Sequence, residues 1–181
     1  MTALPNLLTM SRIAAIPLIV VLLYFDGATW RWVACAIFTA ACVTDFLDGY
    51  LARSRRQVSD LGRFLDPIAD KLLVAAVILI LVAERRLTGW TILPALIILC
   101  REILVSGLRE YLAGLLVSVP VSQLAKWKTV LQMLALGFLI VGDNGLPAWP
   151  VSAIGEVGLW AAAALTLVTG YDYLKAGLKH M

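Results

Sequence analysis

Four aspartates fall within one stretch, TDFLDGYLARSRRQVSDLGRFLDPIADK (residues 44–71), as two pairs: Asp45 with Asp48, three apart, and Asp66 with Asp70, four apart. Either spacing puts both carboxylates on one face of a helix. The connection between the pairs, Ser54 to Asp60, is short and basic, so two helices joined by it are antiparallel neighbours and the four carboxylates can converge. Four negative charges stay close only with something cationic among them. Hard oxygen ligands in that number suit Mg²⁺ or Mn²⁺, as two ions. Gly49 follows Asp48 directly, Gly62 lies one helical turn before Asp66, and Ala52 lies one turn beyond Asp48. Small residues there let a bulky ligand approach the carboxylates closely.

The elements that must carry these residues are apolar. The chain has 181 residues, 61% of them hydrophobic and 15% charged, with a mean hydropathy of +0.90, which belongs in a bilayer rather than in water. A spanning helix needs about 20 residues, and turn-forming or charged breaks divide the chain into six segments: 6–25, 30–53, 61–84, 90–113, 121–141 and 150–175. The expected fold is a single all-α membrane domain over 1–181, with six transmembrane helices around a polar cavity open to the cytoplasmic side. The apolar run from Ile13 to Phe25 follows no cleavable leader pattern and is expected to remain as a helix.

Orientation follows from the cations, because lysine and arginine are retained on the cytoplasmic side. With the N-terminus inside, twelve of the fifteen fall at inner ends, leaving Arg31, Arg85 and Arg86 outside. Trp30, Trp32, Trp90 and Trp149 then sit at outer ends, as an interfacial aromatic belt would. Charge inside the helices concentrates toward the inner side, at Asp45, Asp48, Arg53, Asp66, Asp70, Lys71, Arg101 and Glu102. Such groups cost a few kcal/mol each unless they face a bundle interior or a watered cavity. The aspartates could instead pair with Arg53, Arg55, Arg63 and Lys71 and fasten two helices together. Four acids exceed what fastening needs. Cys35, Cys42 and Cys100 sit in apolar runs without metal-binding spacing, and His180 is a tail residue, so acid–base chemistry falls to carboxylates, lysines and arginines.

At Asp45–Asp70 the sequence resembles the CDP-alcohol phosphotransferase family, whose signature D-x2-D-G-x2-A-R-x8-G-x3-D-x3-D is met at Asp45, Asp48, Gly49, Ala52, Arg53, Gly62, Asp66 and Asp70. The resemblance implies that Asp45, Asp48, Asp66 and Asp70 hold the metals and that Asp70 also deprotonates the acceptor hydroxyl. It implies a CDP-linked lipid donor held with help from Gly49, Arg53 and Ser59, and from Asn6, Thr9 and Arg12 of the NLLTMSR stretch. CMP would leave. A homodimer is implied by the resemblance alone.

The stretches CREILVSGLREYLAG and KWKTVLQM resemble the phosphatidylglycerophosphate-forming branch of that family, which joins CDP-diacylglycerol to sn-glycerol 3-phosphate in the bacterial cytoplasmic membrane. Arg101 and Arg109 lie two turns apart on one helix, and Lys126 and Lys128 open the next; these four are the expected ligands of the acceptor phosphate. Phosphatidylglycerol or an inositol phosphate as acceptor would need only a different pocket. A divalent-cation carrier is a different class, disfavoured because the acids cluster near one membrane face. Membrane lipids are the expected partners. The net charge of +3 comes with no nucleic-acid recognition motif.

Overall fold

The computed structural model describes residues 4–55, 60–115, 117, 123–146 and 148–178; of the side chains of 4–7, 45–55, 60, 61, 63, 176 and 178 nothing is said. The described residues form six α-helices: α1 (Leu4–Tyr24), α2 (Ala28–Arg55), α3 (Asp60–Ala83), α4 (Ile92–Gly114), α5 (Gln123–Gly145) and α6 (Val151–Leu178). One 3₁₀ turn, Gly89–Thr91, leads into α4. No strand occurs among the described residues.

These segments are helical because their apolar runs are long and their breakers fall between them. Helix α6 is predominantly apolar with no single apolar face, as expected where lipid, not water, meets the outward side. Ile103, Val157 and Leu79 are about two-thirds exposed on the bundle surface, a poor arrangement in water and an ordinary one against acyl chains. The 89–114, 123–145 and 151–175 stretches are long and apolar enough to cross a membrane, and shorter apolar helical runs cover 8–24 and 28–44.

The core gathers Ile19 and Leu23 of α1, Phe38 of α2, Leu73 and Leu81 of α3, and Leu136 of α5, all nearly solvent-free. Helix α6 packs most extensively on α5 and also lies along α4; α1 lies against both α2 and α3; α3 and α4 touch only sparingly. Two cavities open along that sparse seam.

Five of the six sequence-derived segments end within three residues of the helices. The exception is the end of α5, expected at 141 and found at Gly145. Gly142 adopts φ 60°, ψ 177°, a conformation closed to most side chains, and the helix resumes after it. A glycine that reads as a stop is a kink.

Candidate active site

Helix α3 carries Asp66 and Asp70 one turn apart, both partly buried, with Pro67 between them. Proline has no N–H, so the helical ladder lacks one bond at this level. Lys71 Nζ donates to the Pro67 carbonyl oxygen at 2.8 Å, folding the lysine stem back along α3.

Helix α1 closes over this face. Thr9, 1% exposed, donates its hydroxyl hydrogen to Asp66 Oδ1, and Arg12, also 1% exposed, lies one turn further along. Thr9, an expected nucleotide ligand, thus has its hydroxyl hydrogen on a carboxylate of α3. Asp45, Asp48, Gly49, Ala52 and Arg53 lie on α2, but their side chains fall outside the described ones, as does that of Asn6; Ser59 lies outside the described residues altogether. Gly62 is buried near the start of α3.

Two consecutive residues of α3 border different spaces. Asp70 and Arg12 line a cavity of about 390 Å³ whose other walls are mainly apolar, among them Phe38, Cys42, Leu73 and Met133. A second cavity, about 200 Å³, continues from shared residues Thr39, Met133 and Leu134 toward Trp32 and Val151, so a greasy groove runs from Asp70 along α2 and α5. Lys71 instead lines a polar pocket of about 240 Å³ between α3 and α4, with Arg101, Arg109, Glu102, Ser106 and Glu110. Three cations against two carboxylates leave that pocket net positive.

Within it, Arg101 is held from three sides. One guanidinium N–H donates to Thr169 Oγ1 at 3.0 Å, Glu102 Oε1 lies 3.8 Å from another nitrogen, and the guanidinium carbon sits 5.7 Å from the Tyr173 ring centre. Glu102 is shared, because it also forms an ion pair with Lys128, whose side chain is only 2% exposed.

Of the four expected acceptor ligands, the structure thus brings Arg101 and Arg109 to one pocket. Lys128 is engaged with Glu102, and Lys126 is exposed; neither is among the residues lining that space. An unpaired buried ammonium is costly, so Lys128 takes the nearest carboxylate. Lys71, Glu102, Thr169 and Tyr173 belong to the site and were not among its expected ligands. Lys71 adjoins Asp70 in sequence and was discoverable on that ground; Thr169 and Tyr173 carried no such signal.

The donor set of Asp66 and Asp70 is hard, anionic and oriented, and fits a small divalent cation. Nearby, a lipid-shaped groove and a cationic pocket flank the same helix.

Comparison with known proteins agrees with this chemistry. The family described as CDP-alcohol phosphatidyltransferase matches residues 2–168. A protein of Rickettsia bellii (strain RML369-C) bearing the name CDP-diacylglycerol--glycerol-3-phosphate 3-phosphatidyltransferase is 50% identical over 177 residues, covering 98% of this chain and 96% of its own. Relatives under the same name from Rickettsia typhi (strain ATCC VR-144 / Wilmington) and Cereibacter sphaeroides (strain ATCC 17023) are 49% and 38% identical, covering 97% and 99% of this chain and 97% of each relative. With the match extending over nearly every helix, the chain belongs to the CDP-alcohol phosphatidyltransferase family.

Proposed function

We propose that this membrane enzyme transfers the phosphatidyl group of CDP-diacylglycerol to the 1-hydroxyl of sn-glycerol 3-phosphate, giving phosphatidylglycerophosphate and CMP. The observation that carries the reading is the division at Asp70 and Lys71: one borders the apolar groove, the next borders the cationic pocket. A lipid donor and a small charged acceptor need two such spaces bordered by neighbouring residues, one of them a carboxylate. The pocket, about 240 Å³, is smaller than the ~300–1,000 Å³ of drug-sized sites, which suits a three-carbon phosphate.

In this reading the acyl chains lie along α2 and α5, and the cytidine end is held near Asn6, Thr9, Arg12, Gly49, Ala52, Arg53, Ser59 and Gly62. Arg101 and Arg109 bind the acceptor phosphate, with Lys71 beside them. Asp70 removes the proton as the hydroxyl oxygen attacks phosphorus. The new O–P bond forms while the bond to the CMP oxygen breaks. Thr9 keeps the Asp66 carboxylate turned toward the reacting groups. A divalent metal, which the family generally uses, supplies positive charge against the pyrophosphate when bound. Asp45, Asp48, Asp66 and Asp70 would hold it, as two Mg²⁺ or Mn²⁺ ions.

The proposal extends to six spanning helices around a polar cavity open to the cytoplasm, in a bacterial cytoplasmic membrane, with both termini inside, and to a homodimer. Twelve of fifteen cations at the aspartate side support the orientation.

A second reading has one observation in its favour. An apolar cavity of about 430 Å³ between α3 and α4 shares Lys71, Glu102 and Ser106 with the polar pocket, and could admit the chains of a lipid acceptor such as phosphatidylglycerol. CMP release by purified protein given CDP-diacylglycerol and Mg²⁺ separates the two. Release dependent on glycerol 3-phosphate is expected; release dependent only on phosphatidylglycerol or an inositol phosphate would overturn the acceptor.

A further inference from the structure

Helix α6 contributes no charged group to the pocket, yet one of its faces is shaped around Arg101. Thr166, Thr169, Gly170 and Tyr173 recur at helical spacing and are all buried. Of the two buried hydroxyls on this face, that of Thr169 meets Arg101.

The Thr169 hydroxyl has a fixed polarity. It donates its hydrogen to the Leu165 carbonyl oxygen at 2.8 Å, one turn back, which leaves its oxygen free only to accept. What it accepts is the Arg101 N–H at 3.0 Å. Gly170 provides the passage: a Cβ there would stand 3.0 Å from Arg101 Cγ and 3.4 Å from Nε. Tyr173 offers its ring face at 5.7 Å. The three fix different parts of one side chain: stem, fork and plane.

We propose that the Thr169–Gly170–Tyr173 face of α6 is a positioning device for Arg101, setting the guanidinium where the acceptor phosphate is bound and so governing acceptor affinity. The proposal rests on the reading of Arg101 as a phosphate ligand. These are positioning residues; none of them lines the polar pocket. A guanidinium has five donors on a flexible stem and gains bidentate geometry only when the stem is fixed.

The test compares acceptor KM, donor KM and kcat for Arg101→Ala, Thr169→Val, Thr169→Ser and Gly170→Ala in the full-length protein in detergent, with thermal stability measured alongside. Thr169→Val is expected to raise the glycerol 3-phosphate KM about tenfold, the scale of one hydrogen bond to a charged group, with donor KM unchanged. Thr169→Ser, which keeps the accepting oxygen, restores it. Gly170→Ala is expected to raise the same KM through the displaced arginine stem. If Arg101→Ala leaves acceptor KM unaltered, the phosphate-ligand reading itself fails. Should Arg101→Ala raise acceptor KM while Thr169→Val and Gly170→Ala change only stability, or change both KM values equally, the positioning proposal alone is overturned.

Discussion

The two ends of the helix bundle use polar residues in opposite ways. At the end away from the aspartates, they close backbone groups. Arg86 donates to the Ile140 carbonyl oxygen at 2.9 Å, Trp32 Nε1 to the Gly145 carbonyl oxygen at 3.1 Å, and Asp143 Oδ1 accepts from the Ser152 N–H at 2.8 Å. All three gather around the Gly142 kink and the turn after it, where the helix leaves carbonyls and N–H groups without their usual partners. Burial, reinforced by the nearby Arg31 charge, lowers the Arg86 pKa from its ordinary value. At the aspartate end, Asp70, Lys71, Arg101 and Arg109 face open space instead. The buried Arg101 Nε has no hydrogen-bond partner. Polar groups around the kink satisfy backbone carbonyls and N–H groups, whereas those at the aspartate end line spaces large enough for a ligand.

Mutations should respect that division. The largest effect is expected from Asp70→Asn, which removes the proposed general base while preserving shape: CMP release should fall by roughly 10²–10⁴-fold, with donor binding largely retained in a direct binding assay. Near-normal turnover would take Asp70 out of that role. Next, Glu102→Ala leaves Lys128 buried without its counter-charge and should destabilise the protein by about 3–5 kcal/mol, read as a lower Tm in detergent. Replacing Lys128 by Met in the same chain should recover much of the loss.

Gly142→Ala tests the opposite end. A side chain at φ 60° with Arg31 only 3.2 Å from the new Cβ should cost about 1–3 kcal/mol and leave acceptor KM unchanged. A shift in KM there would erase the contrast between the ends. The smallest effect is expected from Lys126→Ala: the residue is exposed and lies outside the polar pocket, so stability should move by no more than about 0.5 kcal/mol, and acceptor KM should stay within twofold of the parent (~0.4 kcal/mol).

Helices and carboxylates were legible in the sequence because both are local signals. An apolar run declares its own length, and pairs three or four apart declare a shared face, as Asp66 and Asp70 do. The bonds that finish the site are not local. Thr9 reaches Asp66 across 57 residues, Lys128 reaches Glu102 across 26, and Arg101 reaches Thr169 across 68. Each depends on which helices become neighbours, which spacing within one helix does not encode. Lys126 and Lys128 illustrate this: two cations near each other in sequence have different surroundings, Lys126 exposed and Lys128 buried against Glu102.

The separation of Asp70 from Lys71 into two cavities also constrains kinetic order. With one space bordered by Asp70 and another by Lys71, neither substrate has to depart before the other arrives. Double-reciprocal plots at several fixed donor levels are therefore expected to intersect, as for a ternary complex, whereas parallel lines would mean that the two spaces serve one occupant in turn.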